Sequence, residues 1–124
     1  MFQNESRLLV ADNYGAEELL VIRCLGGSNR RYSRIGDIVV ATVKKVKPNM
    51  GIDKGEVVLA IVVTSKKWFR RDNGSFIKFS ENYAVLLKEE DRKQPRGTLI
   101  SVPILREFEN WGWKKLLSLT REVI

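Results

Sequence analysis

The sequence predicts a mainly β fold, a small β-barrel with a projecting basic hairpin and two short C-terminal helices. Three observations predict it. Apolar residues fall in short β-type runs, and each run is bounded by turn residues. Two of these runs echo each other, Gly36-Asp37-Ile38-Val39-Val40-Ala41-Thr42-Val43 and Gly55-Glu56-Val57-Val58-Leu59-Ala60-Ile61-Val62. A helical period appears only after Pro103.

In chain order, strands are expected at residues 7–11, 19–25, 37–46, 56–66, 75–79 and 83–88. The chain reverses at Asn13-Tyr14-Gly15, Gly26-Gly27-Ser28-Asn29, Pro48-Asn49-Met50-Gly51, Asp53-Lys54-Gly55, Asp72-Asn73-Gly74 and Pro95-Arg96-Gly97, all rich in turn formers. In the echoing strands, Ala at the same place points to close packing inside a barrel. Their apolar residues on both alternating faces call for a cover outside as well as a core within. A closed barrel also removes the edge strands that invite aggregation. Beyond Pro103, Leu105, Phe108 and Trp111 recur at helical intervals, and Trp113, Leu116, Leu117 and Leu119 follow Gly112. Two short helices with a break at Gly112 are expected to plug one end of the barrel or dock on a partner.

The 124 residues fit one domain, with the barrel over about 1–100 and the helical segment over about 103–120. The single cysteine, Cys24, cannot form an internal disulfide and reads as a small core residue. With no histidine there is no Cys/His cluster for zinc and no Ser/His or Cys/His triad, so no cofactor is expected and catalysis has little to work with. No apolar run approaches the roughly 20 residues that span a bilayer. A soluble protein of a reducing compartment is expected, with no visible targeting segment at residues 1–7.

Charge is concentrated. Residues 28–71 hold 11 Lys/Arg against Asp37, Asp53 and Glu56, a net +8 within an overall +7. Such a lopsided excess is the footprint of a phosphate-facing surface. Its strongest local feature is Lys66-Lys67-Trp68-Phe69-Arg70-Arg71, running into Asp72-Asn73-Gly74 and a strand. Asn-Gly favours a type I′ hairpin turn, and the cations beside Trp68 and Phe69 suit RNA phosphates and bases; the plainer reading is that both rings cap the barrel. The second feature is Gly26-Gly27-Ser28-Asn29-Arg30-Arg31-Tyr32, whose paired arginines offer bidentate phosphate contacts. It lacks the Gly-Lys-Ser/Thr ending of a nucleotide-binding P-loop, and an ordinary solvated hairpin loop is its plain alternative. Lys44, Lys45, Lys47 and Lys54 extend the same basic face, although such lysines often do no more than solvate a strand end. Glu89-Glu90-Asp91 reads as a solvated charge run rather than a metal site.

The chain also resembles the family of the universal large-subunit ribosomal protein number fourteen, in its bacterial and organellar form. The resemblance runs end to end. It rests on Val10-Ala11-Asp12-Asn13 with Gly15-Ala16, Gly26, Arg30-Arg31-Tyr32, Ile35-Gly36-Asp37, Ala60-Ile61-Val62-Val63, Asn73-Gly74, Phe79, Asn82 and Val85-Leu86. Gly97-Thr98, Arg106-Glu107, Leu117-Ser118-Leu119 and Glu122-Val123-Ile124 complete it. It implies a five-stranded barrel that binds large-subunit rRNA and reaches small-subunit rRNA in intersubunit bridges. The implied protein neighbours are large-subunit proteins numbers three and nineteen. The expected rRNA-binding set is Asn13, Ser28, Asn29, Arg30, Arg31, Tyr32, Lys44, Lys45, Lys47, Lys54, Lys66, Lys67, Arg70, Arg71 and Lys78.

The expected protein-facing set is Thr98, Leu99, Trp111, Trp113 and Lys115. The family's ribosomal silencing factor binds at a Gly-Thr-Arg, where this chain has Gly97-Thr98-Leu99, a departure that argues against that partner. Ser101-Val102-Pro103 also replaces a Phe-Gly-Pro, and Trp68-Phe69 and Trp111-Gly112-Trp113 add aromatics. Arg30-Arg31-Tyr32, Pro48-Asn49-Met50 and Arg71-Asp72-Asn73-Gly74 are most similar to plastid versions, ahead of mitochondrial or bacterial ones. From the residues alone, a free single-barrel RNA-binding factor is the competing function. An enzyme would need a carboxylate pair or a lysine in a cleft.

Overall fold

The β-branched runs become strands, and two clusters of apolar side chains hold them. The computed structural model describes residues 2–3, 7–25, 32–48 and 51–124, with the backbone alone at 2, 3, 32 and 33. Its elements are β1 (Phe2–Gln3), β2 (Arg7–Val10), β3 (Ala16–Cys24), β4 (Tyr32–Ser33), β5 (Ile38–Val46), β6 (Val57–Val62), β7 (Phe69–Arg70), β8 (Phe76–Ile77), β9 (Tyr83–Leu87), α1 (Glu107–Asn110) and α2 (Lys114–Ser118). Strands β2-β3-β5-β6-β9 form a closed barrel, the five-stranded one that the resemblance implies. Two antiparallel ribbons, β1 with β4 and β7 with β8, lie outside it.

The barrel interior is filled by alternating small and large side chains. Ala41 lies between Val21 and Val58 in the ladder, Ala60 between Val39 and Leu86, and Ala84 between Val62 and Val10. Each alanine makes room for its larger neighbours, so the echoing Ala41 and Ala60 do lie in the core. Residues of opposite parity on the same strands, Ile61, Val85 and Leu87, point out of the barrel. They are buried with Ile104, Leu105, Phe108, Trp113 and Leu116.

This second cluster corrects the expected place of the helices. They cover the β6–β9 side wall rather than plugging an end, because the interior is already filled and that wall is apolar on its outer face. Fully burying a side chain of this kind is worth roughly 1.5–3 kcal/mol. Helices of this length have no stability of their own, so that packing is what holds α1 and α2. The break between them falls at Gly112, with φ +87°, where the sequence placed it.

Other boundaries move for identifiable reasons. β3 begins at Ala16, ahead of the expected residue 19, because Ala16 and Glu18 pair with Val46 and Lys45 of β5 across a register shift that leaves Glu17 exposed. β6 ends at Val62, well short of residue 66. Beyond it, the buried Thr64 hydroxyl donates to the Glu81 carbonyl (2.8 Å) and accepts the Tyr83 amide (2.9 Å), replacing ladder bonds. The ribbon β1–β4 had no signal in the sequence.

The barrel closes at a short parallel seam, with Leu9 opposite Tyr83 and Val10 opposite Ala84. The Ala11 amide still donates to the Ala84 carbonyl at 3.0 Å. One step further, the Leu86 amide donates to Asp12 Oδ2 (3.0 Å), while Oδ1 accepts the Tyr14 amide (3.1 Å). The Asp12 carboxylate thus stands in for the missing strand. Burial pushes its carboxyl above the ordinary 3.8, against the opposing pull of the Leu86 and Tyr14 amides and the charges of Arg96 and Lys47. Replacing Asp12 with Ala leaves the buried Leu86 amide without an acceptor, which costs roughly 1–3 kcal/mol. Urea denaturation is expected to show that destabilisation; an unchanged midpoint would mean that the latch does not hold the seam.

Candidate nucleic-acid interface

A chain of charged contacts runs across the barrel from the end of β5 to the base of the hairpin. On β3, Glu18 is the ladder partner of Lys45, whose Nζ lies 3.6 Å from Glu18 Oε2. Arg7 on β2 donates to the other carboxylate oxygen. Arg7 and Glu18 then share a shallow depression with Lys66, which pairs with Glu81 at 3.7 Å. Exposed ion pairs of this kind add little stability, so their main effect is to orient Arg7, Lys45 and Lys66 along one strip. Lys44 is half-buried at the end of β5, and Lys47 and Lys54 are exposed just beyond.

The hairpin departs from the expected two-residue turn. Arg71 donates its amide to the Ser75 carbonyl (2.8 Å), and the Gly74 amide donates to the Arg71 carbonyl (3.0 Å), enclosing a three-residue loop with Gly74 at φ +85°. Asn73 Oδ1 accepts from both the amide (3.0 Å) and the hydroxyl (2.6 Å) of Ser75, which favours this longer loop. At its base, Asn82 Oδ1 accepts the Lys66 amide (2.8 Å) and the Phe79 amide donates to the Ser65 carbonyl (2.9 Å). Lys67, Arg70 and Lys78 are exposed on the ribbon. Trp68, 64% exposed, meets Phe76 edge to face and has Lys78 Nζ 4.8 Å from its ring centroid.

Arg71, expected to face phosphate, is held inside the molecule instead. Its Nε lies 3.1 Å from Glu107 Oε2 and its terminal nitrogen donates to the Ile124 carbonyl oxygen, tying the hairpin to α1. Trp113, expected on a partner-facing surface, is only 4% exposed and packs in the outer core with Lys93 Nζ 4.1 Å from its ring centroid. A tryptophan beside a helix break follows the apolar period of its helix, and that period placed it on the wall. Trp111 is half-exposed, and its ring meets Phe69 and Phe108 at centroid distances of 6.1 and 5.1 Å. It lies so close over Gly36 that a Cβ there would come within 2.9 Å of its ring.

Asn13 is exposed and hydrogen-bonds to a loop distant in the chain. Its Nδ2 donates to Thr98 Oγ1 (3.0 Å), and its Oδ1 accepts the amides of Thr98 (2.9 Å) and Leu99 (3.3 Å). A Cβ at Gly97 would meet that Oδ1 at 2.8 Å, so the close approach requires glycine. The clasp fixes a loop on which Thr98 and Leu99 are exposed; Lys115 is exposed on α2.

Ser28, Asn29, Arg30 and Arg31 lie outside the described residues, as does the side chain of Tyr32. Sequence reasoning passed over Arg7 and Arg34. Arg34 falls inside the basic segment and was findable there, whereas Arg7 acquires its place only through the β2–β3 ladder.

The Arg7 hydrogen bond, opposed by partial desolvation and aided by the Lys45 charge, holds the Glu18 carboxyl below its ordinary 4.5. A carboxyl depressed on folding contributes stability above its unfolded pKa and loses it as pH falls through the folded value. The stability difference between the native chain and Glu18→Gln is therefore expected to be constant near neutrality and to shrink in acid, as read by urea unfolding over a pH series. A difference that stays constant down to about pH 3 would contradict the pairing.

The family model described as ribosomal protein L14p/L23e matches residues 1–124, the whole chain.

Proposed function

The chain belongs to the ribosomal protein L14p/L23e family and is a structural, non-enzymatic constituent of the large ribosomal subunit, and on that premise we propose that its basic face binds large-subunit rRNA. The observation that carries this reading is the concentration of positive charge. The net +8 of residues 28–71 includes Lys44, Lys45, Lys47, Lys54, Lys66 and Lys67 together with Arg30 and Arg31. Phosphates draw such a surface in by releasing counterions, which needs no pocket and no reacting group. Small-subunit rRNA at intersubunit bridges, and large-subunit proteins numbers three and nineteen, are proposed as the remaining neighbours. A plastid ribosome is the proposed setting, on the motifs at residues 30–32, 48–50 and 71–74.

Replacing both Arg30 and Arg31 with Ala is expected to weaken binding to a large-subunit rRNA fragment. It should also reduce the slope of log affinity against log salt by about 0.9 for each phosphate that the arginines neutralise. A slope equal to that of the native chain would remove these arginines from the interface. At the Asn13 clasp, Leu99 is 38% exposed where the family surface for the silencing factor carries an arginine. Leu99→Arg is expected to raise retention of the chain on immobilised silencing factor, and unchanged retention would show that this position does not govern the interaction.

A further inference from the structure

The hairpin base, the turn before β5 and the end of α1 enclose a groove of about 420 Å³. Its walls carry Arg34, Lys67 and Arg70 together with Trp68, Phe69 and Trp111. No carboxylate lines it among the described residues. Its three cations are exposed, and none takes part in an ion pair among the described residues, unlike Lys45, Lys66, Arg71 and Arg96. The aromatics are held in place. Trp111 is backed by Gly36 and braced by Phe69 and Phe108, while the exposed Trp68 makes a T-shaped contact with Phe76 and has the Lys78 ammonium over its ring.

Unneutralised cations call for an anionic occupant, and the exposed indole of Trp68 calls for a flat one. A nucleotide supplies both, a π-face and phosphates on either side of it. We propose that this groove binds one unpaired nucleotide of RNA, its base stacked on Trp68 and its flanking phosphates met by Arg34, Lys67 and Arg70. The base must be unpaired, because within an A-form helix its faces are already covered by neighbouring bases. The proposal rests on the RNA-binding reading above and adds to it a site for single-stranded rRNA.

The test measures fluorescence anisotropy of two labelled probes with the full chain, a single-stranded hexauridylate and an rRNA-derived duplex. Variants Trp68→Ala and Trp68→Phe are compared with the native chain. Trp68→Ala is expected to weaken the single strand roughly 5- to 150-fold, the effect of removing one base stack, and to leave the duplex unaffected. Trp68→Phe should retain most of the affinity, because a smaller ring still stacks. Single-strand affinity unchanged in Trp68→Ala would overturn the slot and leave the exposed rings to a protein neighbour, while salt-dependent duplex binding would still uphold the RNA-binding reading. A native chain that binds neither probe would overturn both.

Discussion

Closing a five-stranded sheet into a barrel brings β2 alongside β9, and here the chain has only a short parallel seam with which to do it. After Ala11 the chain turns away, so the next amide on β9, that of Leu86, would have no backbone acceptor. Asp12 supplies one from its side chain, and its second oxygen holds the Tyr14 amide that starts the turn. Asn13, the next residue, clasps the loop at residues 97–99, which Gly97 alone lets come close. One short stretch of sequence therefore closes the barrel and fixes a surface loop distant in the chain. The outer wall next to the seam carries Ile61, Val85 and Leu87, and the helices pack there.

This dependence explains what could be read from the residues and what could not. The barrel strands were legible because short runs of β-branched and other apolar residues are bounded by turn residues, and the break at Gly112 because an apolar helical pattern stops and restarts across it. Whether the helices plugged an end or covered a wall was not legible. Periodicity says which face of an element is apolar, not which other face it meets. Asp12 was legible as part of a motif, yet its service as a strand substitute depends on Leu86, 74 positions away. The turn at Asn73-Gly74 differs from the dipeptide's usual form because the Asn73 side chain captures Ser75, an interaction that the dipeptide alone does not encode.

The functional surface was legible as a charge excess but not as a sorted one. Arg71 and Trp113 have the composition of binding residues, yet one is tied to Glu107 and the other is buried on the wall. Lys45 and Lys66 lean on carboxylates that orient them. Arg34, Lys67 and Arg70 form no side-chain ion pair among the described residues, although the Arg34 backbone amide donates to Asp37 Oδ2 (2.7 Å), and two of the three come from a hairpin arm whose charged residues are all basic in sequence. Folding pairs some of the cations with carboxylates and leaves others without an ion pair among the described residues, and the proposed nucleotide site draws on the latter.

A barrel with an rRNA-binding face inside a large subunit should resist removal by salt, since protein packing persists when counterions compete for the phosphates; a loosely bound factor should not. The direct measurement is mass spectrometry of large subunits purified from the source organism through a high-salt wash. Stoichiometric retention of this chain is the predicted result. Its release into the wash, with large subunits otherwise intact, would contradict the account and make the chain a dissociable RNA-binding factor.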